Sequence, residues 1–155
     1  IIVIGRRERL DLAKKLGADY IVNYEKINDV VSEVMNITNN IGADQVIEAA
    51  GNTTAFLQSI QMAKKGGHVA FISIPPKDGQ LIAGKHLIMN QITLHGIRAN
   101  PNCSQPILSM MSSGILSNLK MMITHVFSID DIEIAFDIFA KRKDGAVKVL
   151  IHPFE

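Results

Sequence analysis

Residues 1–18 read IIVIGRRERLDLAKKLGA. Ile1 to Ile4 form a short aliphatic run, the composition of a strand covered on both faces. From Glu8 to Leu16, the residues Leu10, Leu12, Ala13 and Leu16 recur at helical spacing. Gly17 stands where a helix commonly ends in a left-handed residue. A strand, a tight Gly5-Arg6-Arg7 junction and a helix within 18 residues open a βα unit, and the rest of the chain repeats that plan.

Tyr20 to Asn23 is a second strand, and Asn28 or Asp29 caps a helix carrying Val30, Val31, Val34, Met35 and Ile37. Asp44 to Ala50 (DQVIEAA) is the third strand. Thr53 or Thr54 caps the helix bearing Phe56, Leu57 and Ile60, which Gly66-Gly67 stops. His68 to Ile74 (HVAFISI) and Ile92 to Ile97 (ITLHGI) are further strands. Between them lie a loop at Pro75-Pro76-Lys77-Asp78-Gly79 and a short helix around Leu87 to Met89. A helix at Gln105 to Ser112 follows, then an extended segment at Ile123 to Phe127. Asp130 or Asp131 caps a helix at Ile132 to Phe139, and a last strand runs from Val147 to Ile151. Strands alternating with helices across short connections imply an α/β fold: a doubly wound parallel sheet with helices on both faces. Residues 1–155 are read as one domain of this kind.

Composition narrows the function. The net charge of +1 gives no general electrostatic case for nucleic acid or an anionic membrane. No apolar run approaches the roughly 18 residues of a membrane span. The single cysteine, Cys103, allows neither an intrachain disulfide nor a cysteine-based zinc site, which fits a cytoplasmic protein. Cys103 reads as a plain loop thiol. His68, His86 and His95 share no metal-ligand spacing. His125 alternates with Ile123 and Phe127 and reads as a packed residue.

Parallel doubly wound sheets bind ligands at the carboxyl ends of their strands. The positions that follow strands are therefore Gly5-Arg6-Arg7, Asn23-Tyr24, Ala50-Gly51-Asn52, Ile74-Pro75-Pro76 and Gly96-Ile97-Arg98. In a dinucleotide-binding sheet the second strand ends beside the adenosine ribose, where a carboxylate selects NAD. Here the first visible strand ends in glycine and two arginines. A guanidinium grips a phosphate through paired, charge-assisted hydrogen bonds. The 2′-phosphate of NADP is the matching partner, with NAD the weaker option. The plain alternative is two exposed residues at a helix start. The G-x-G-x-x-G turn expected between the first strand and first helix of such a domain occurs nowhere in the sequence. Ile1 to Ile4 is thus read as a second strand, with the first strand and its glycine-rich turn missing.

Taken together, VIGRRERLDLAKKLGADYIVNY, GADQVIEAAGN, KKGGHVAFISIPP, ITLHGIRAN, ITHVFSIDDIEIAFDIF and GAVKVLIHP resemble the cofactor domain of the zinc-containing alcohol dehydrogenases, within the medium-chain dehydrogenases. The resemblance spans the chain and corresponds to roughly the last 45 per cent of a family member. It implies hydride transfer between a nicotinamide and an alcohol or ketone. Gly5 and Arg7 match the family's 2′-phosphate grip, with Arg6 between them. Ala50, Gly51 and Asn52 match the segment against the cofactor ribose. Ile74 and Pro75 match the segment beside the nicotinamide, as do Gly96, Ile97 and Arg98. Lys148 matches a basic residue that reaches the pyrophosphate; otherwise it is a solvated strand-edge lysine. The ITLHGI strand resembles the edge through which members pair into homo-oligomers.

The same resemblance places the zinc ligands and acid–base groups in a catalytic domain that precedes this segment. No catalytic or metal-binding residue is therefore assigned to this chain, and the isolated segment is expected to be inactive. A zinc-free quinone or enoyl reductase of the same superfamily is one alternative. A non-catalytic domain that dimerises or binds nucleotide weakly is another.

Overall fold

The computed structural model describes residues 1–74 and 83–154, so the Pro75–Gly79 loop of the sequence reading lies outside the described residues. The strands are β1 (Ile2–Gly5), β2 (Tyr20–Asn23), β3 (Ala43–Glu48), β4 (Ala63–Phe71), β5 (Thr93–Gly96), β6 (Ile123–Ser128) and β7 (Lys148–His152). The helices are α1 (Glu8–Lys15), α2 (Val30–Ile37), α3 (Thr53–Met62), α4 (Gly84–Met89), α5 (Ser104–Ser112) and α6 (Ile132–Lys141). Every pairing is parallel, as the alternation of elements requires. The strands group into three hydrogen-bonded sheets, in the orders β1-β2, β3-β4-β5 and β6-β7. The first two groups are the blocks that the order 3-2-1-4-5-6 leaves once its first strand is taken out.

The chain divides into two compact units, residues 1–26 with 104–155, and residues 27–103. In the first unit, Ile2 to Gly5 lie in register with Tyr20 to Asn23, and Leu10 of α1 and Val22 of β2 are buried. Helix α1 ends as expected. Gly17 has φ +104°, its N–H donates to Lys14 O at 3.1 Å, and the Ala18 N–H donates to Ala13 O at 3.0 Å. This double closure is the Schellman pattern, which needs a left-handed residue at the turn. Helix α6 begins where predicted, but Asp131 forms no side-chain cap bond. Its carboxylate accepts from Ser128 Oγ instead, at 3.2 Å.

The second unit is built on β3-β4-β5. Its core holds Ile60, Ala63, Val69 and Ile92, with Val46, Phe71, Leu87 and Leu94 packed against them. Phe56 of α3 stacks on Phe71 of β4, with ring centroids 4.4 Å apart. Asp29 caps α2, its Oδ1 accepting from the Ser32 N–H at 3.0 Å. Helix α3 is capped by Asn52, not by Thr53 or Thr54: Asn52 Oδ1 accepts from the Ala55 N–H at 3.0 Å. Asn52 has extended backbone, the geometry a cap requires. Replacing Asn52 with alanine is expected to cost about 1 kcal/mol of stability, readable in urea unfolding.

Gly66 and Gly67 do not terminate α3, which ends at Met62; both lie within β4. A Cβ at Gly67 would stand 2.9 Å from Lys64 O and 3.2 Å from Ala43 O. This glycine is therefore needed for close approach of backbone to backbone, where β3 and β4 fall out of register.

Candidate cofactor site

The predicted residues fall at strand ends in both units. In the first unit, Gly5 closes β1 and has no room to spare: a Cβ there would lie 3.2 Å from Leu10 Cδ2. The space that the glycine leaves is thus taken by the first turn of α1. Arg6 Nη1 donates to Glu25 Oε1 at 3.1 Å, and Arg7 Nε lies 3.9 Å from Glu25 Oε2. The Arg6 guanidinium also sits 6.0 Å from the centroid of the Tyr24 ring. Glu25 and Tyr24 directly follow β2, so the parallel register of β1 and β2 brings both strand ends to one locus.

Two features of this locus were not visible in the sequence. Arg7 has φ 53° and ψ −148°, a combination that side chains avoid and glycine tolerates. The strain falls on one of the two arginines read as phosphate ligands. The second feature is Arg9. Partial burial, then the neighbouring guanidinium groups of Arg142 and Arg6, lower its proton affinity, while Tyr24 acts in the opposite direction. Like charges gathered this way raise the local positive potential and favour an anion. Lys148 is at the start of β7 in the β6-β7 sheet.

In the second unit, the structure gathers three strand ends at one edge of the β3-β4-β5 sheet. The Ile72 N–H donates to Glu48 O at 3.1 Å, and the Ile97 N–H donates to Phe71 O at 2.9 Å. A Cβ on Gly51 would lie 3.4 Å from Ile74 O. Ala50, Gly51, Ile74 and Gly96-Ile97-Arg98 are therefore neighbours along this edge, and Ala50, Ile74, Ile97 and Arg98 are exposed. Asn52 is beside them, but its side-chain oxygen is engaged in capping α3. Pro75 lies outside the described residues.

What holds this edge is Glu48, which sequence reading passed over. Its side chain is 3 % exposed. Oε1 accepts from the Ala50 N–H at 2.7 Å and the Gly51 N–H at 2.8 Å, and Oε2 accepts from Ser73 Oγ. A buried carboxylate thus ties the turn after β3 to the segment after β4 through three hydrogen bonds. The available signal was an acid directly after the apolar pair Val46-Ile47 and just before Ala-Ala-Gly.

His125 is half-buried and stacks on Phe127, with centroids 6.1 Å apart and planes within 3°, as expected of a packed residue. Cys103 is exposed. Among the described residues, no group of three or more His, Cys, Asp or Glu could hold a metal ion. No helix among them is long and apolar enough to cross a membrane.

The comparisons with known proteins show the family of the chain. The family model described as zinc-binding dehydrogenase matches residues 1–113. An alcohol dehydrogenase of Cupriavidus necator is 32% identical over 160 residues, which cover 99% of this chain and 42% of that protein. L-threonine 3-dehydrogenase of Bacillus licheniformis is 32% identical over 153 residues, covering 97% of this chain and 44% of that enzyme. Among solved structures, 2R,3R-butanediol dehydrogenase of Bacillus subtilis superposes with a TM-score of 0.88 at 29% identity, over 99% of this chain and 44% of its own. The chain thus spans less than half the length of these relatives. Its strands, its strand-end loops and these matches lead to one assignment: the chain belongs to the zinc-binding dehydrogenase family and corresponds to the C-terminal part of its members.

Proposed function

We propose that this chain is the cofactor-holding part of an NADP-preferring alcohol or polyol dehydrogenase, with its first strand, glycine-rich turn and catalytic domain lying outside it. The observation that carries this reading is the pair Arg6 and Arg7 at the end of β1, backed by Arg9. Guanidinium groups at that strand end suit the 2′-phosphate of NADP. Gly5 leaves room for the Leu10 side chain of α1 beside the strand end that carries the arginines. Ala50 and Gly51 would face the cofactor ribose, while Ile74, Pro75, Gly96, Ile97 and Arg98 would flank the nicotinamide. Lys148 would meet the pyrophosphate. The nicotinamide supplies the hydride acceptor; the residues here bind and orient it.

The residues described do not fit a catalytic zinc, so no step through zinc is assigned to them. The segment alone is expected to give no alcohol oxidation with NADP. Measurable turnover by the purified chain would overturn that part of the reading. The strand β5 stands at one end of its sheet, and its open backbone edge is where two copies would pair.

Glu25 supplies a direct test of the phosphate locus. It is a carboxylate placed against both arginines, where it competes with an incoming phosphate. Changing Glu25 to glutamine is expected to tighten binding of adenosine 2′,5′-bisphosphate about fivefold at low salt, with less effect at high salt. Adenosine 5′-monophosphate, which has no 2′-phosphate, should bind unchanged. Equal changes for both nucleotides, or weaker binding of the bisphosphate, would count against a phosphate site here.

A further inference from the structure

His68 and His95 are 27 residues apart and share no sequence pattern, yet the fold brings them together. In the β4-β5 register, His68 lies opposite Thr93 and Ala70 opposite His95. Residues two apart in a strand share a face, so both histidines project from the same side of the sheet. Both are exposed. His68 Nδ1 and His95 Nε2 are 3.0 Å apart, and the rings are stacked with centroids 5.3 Å apart and planes 27° off parallel.

That spacing matches two ligands of one metal ion. With metal–nitrogen distances near 2.05 Å, two imidazoles at a right angle place their nitrogens about 2.9 Å apart, and at a tetrahedral angle about 3.4 Å. We propose that His68 and His95 form a two-point site for a borderline divalent transition ion of the zinc, nickel or copper type, which clamps β5 to β4. Both ligands lie within their strands on an exposed sheet face. In the metal-free protein one ring donates to the other. On binding, the donor ring carries its hydrogen on its other nitrogen, and both facing nitrogens turn their lone pairs to the ion. Water completes the coordination from the solvent side. Imidazole ligands favour copper, nickel and zinc over magnesium.

The test is thermal unfolding of the full chain in a Cys103→Ser background, which removes the one exposed thiol from competition. Zinc is titrated with magnesium as the control. At a hundredfold excess over the dissociation constant, zinc should raise Tm by about 5 °C at pH 7.5. The rise should vanish in His68→Gln and in His95→Gln, and should persist in His152→Gln. Magnesium should have no effect. No rise with zinc, or a rise that survives in either His68→Gln or His95→Gln, overturns the proposal.

Discussion

Replacing Arg7 with glycine is expected to weaken NADP binding and stabilise the protein relative to Arg7→Ala. Losing one charge-assisted contact to a phosphate costs about 1.5–3 kcal/mol, roughly ten- to a hundredfold in affinity. Both substitutions remove that contact equally, and both also remove the long 3.9 Å pairing with Glu25, an exposed interaction worth little. They differ in the backbone. At φ 53° and ψ −148°, a residue with a Cβ is strained by about 1–3 kcal/mol. Glycine relieves that strain but loses more entropy on folding, about 0.4–1 kcal/mol relative to alanine. The net expectation is that Arg7→Gly is more stable than Arg7→Ala by about 1 kcal/mol, or roughly 2–4 °C in Tm. Under the proposed function, a native arginine in this strained conformation would be the stability–function compromise that binding sites commonly display. Calorimetric titration of both variants with NADP, alongside thermal melts, checks the two halves separately. Equal melting temperatures would remove the strain argument, and unchanged NADP affinity would remove the phosphate argument.

The second large effect is expected at Glu48. Glu48→Ala removes the buried acceptor of the Ala50 and Gly51 N–H groups and of the Ser73 hydroxyl, which are part-buried. Each such group left without a partner costs up to about 1–3 kcal/mol, partly recovered where water reaches it. A loss of about 3 kcal/mol is the expected sum, a large share of a domain's stability. Glu48→Gln is the informative control. Its amide oxygen can still accept from the two backbone N–H groups, and its amide nitrogen can donate to the Ser73 oxygen once that hydroxyl turns. It should cost no more than about 1 kcal/mol. Urea unfolding of both variants measures the difference. If Glu48→Ala is within 1 kcal/mol of the native protein, Glu48 does not organise the cofactor edge as described.

The periodic elements were legible because each is decided by its own residues. The aliphatic run Ile1 to Ile4 became β1, and Leu10 with Gly17 marked the inner face and the end of α1. The hidden features depend on partners distant in sequence. Glu48 sits 25 residues from Ser73, and only the register pairing Glu48 with Phe71 brings them together. Read alone, it looks like the solvent-facing acid of a strand. His68 and His95 were dismissed on spacing, although a parallel register makes linear spacing irrelevant. The resemblance gives Asn52 a ribose role and leaves the cap to Thr53 or Thr54, yet all three are good capping residues. The backbone chose the first of the three. Arg7 carried its chemistry openly, but its strained backbone left no trace in composition.

Under the proposed function, Arg6 and Arg7 select a 2′-phosphorylated dinucleotide. Calorimetric titration of the chain with NADP and with NAD, at low and high salt, tests it most directly. The expected result is NADP binding at least tenfold tighter than NAD at low salt, a margin that narrows at high salt and collapses in Arg7→Ala. NAD binding as tightly as NADP, or more tightly, would contradict it.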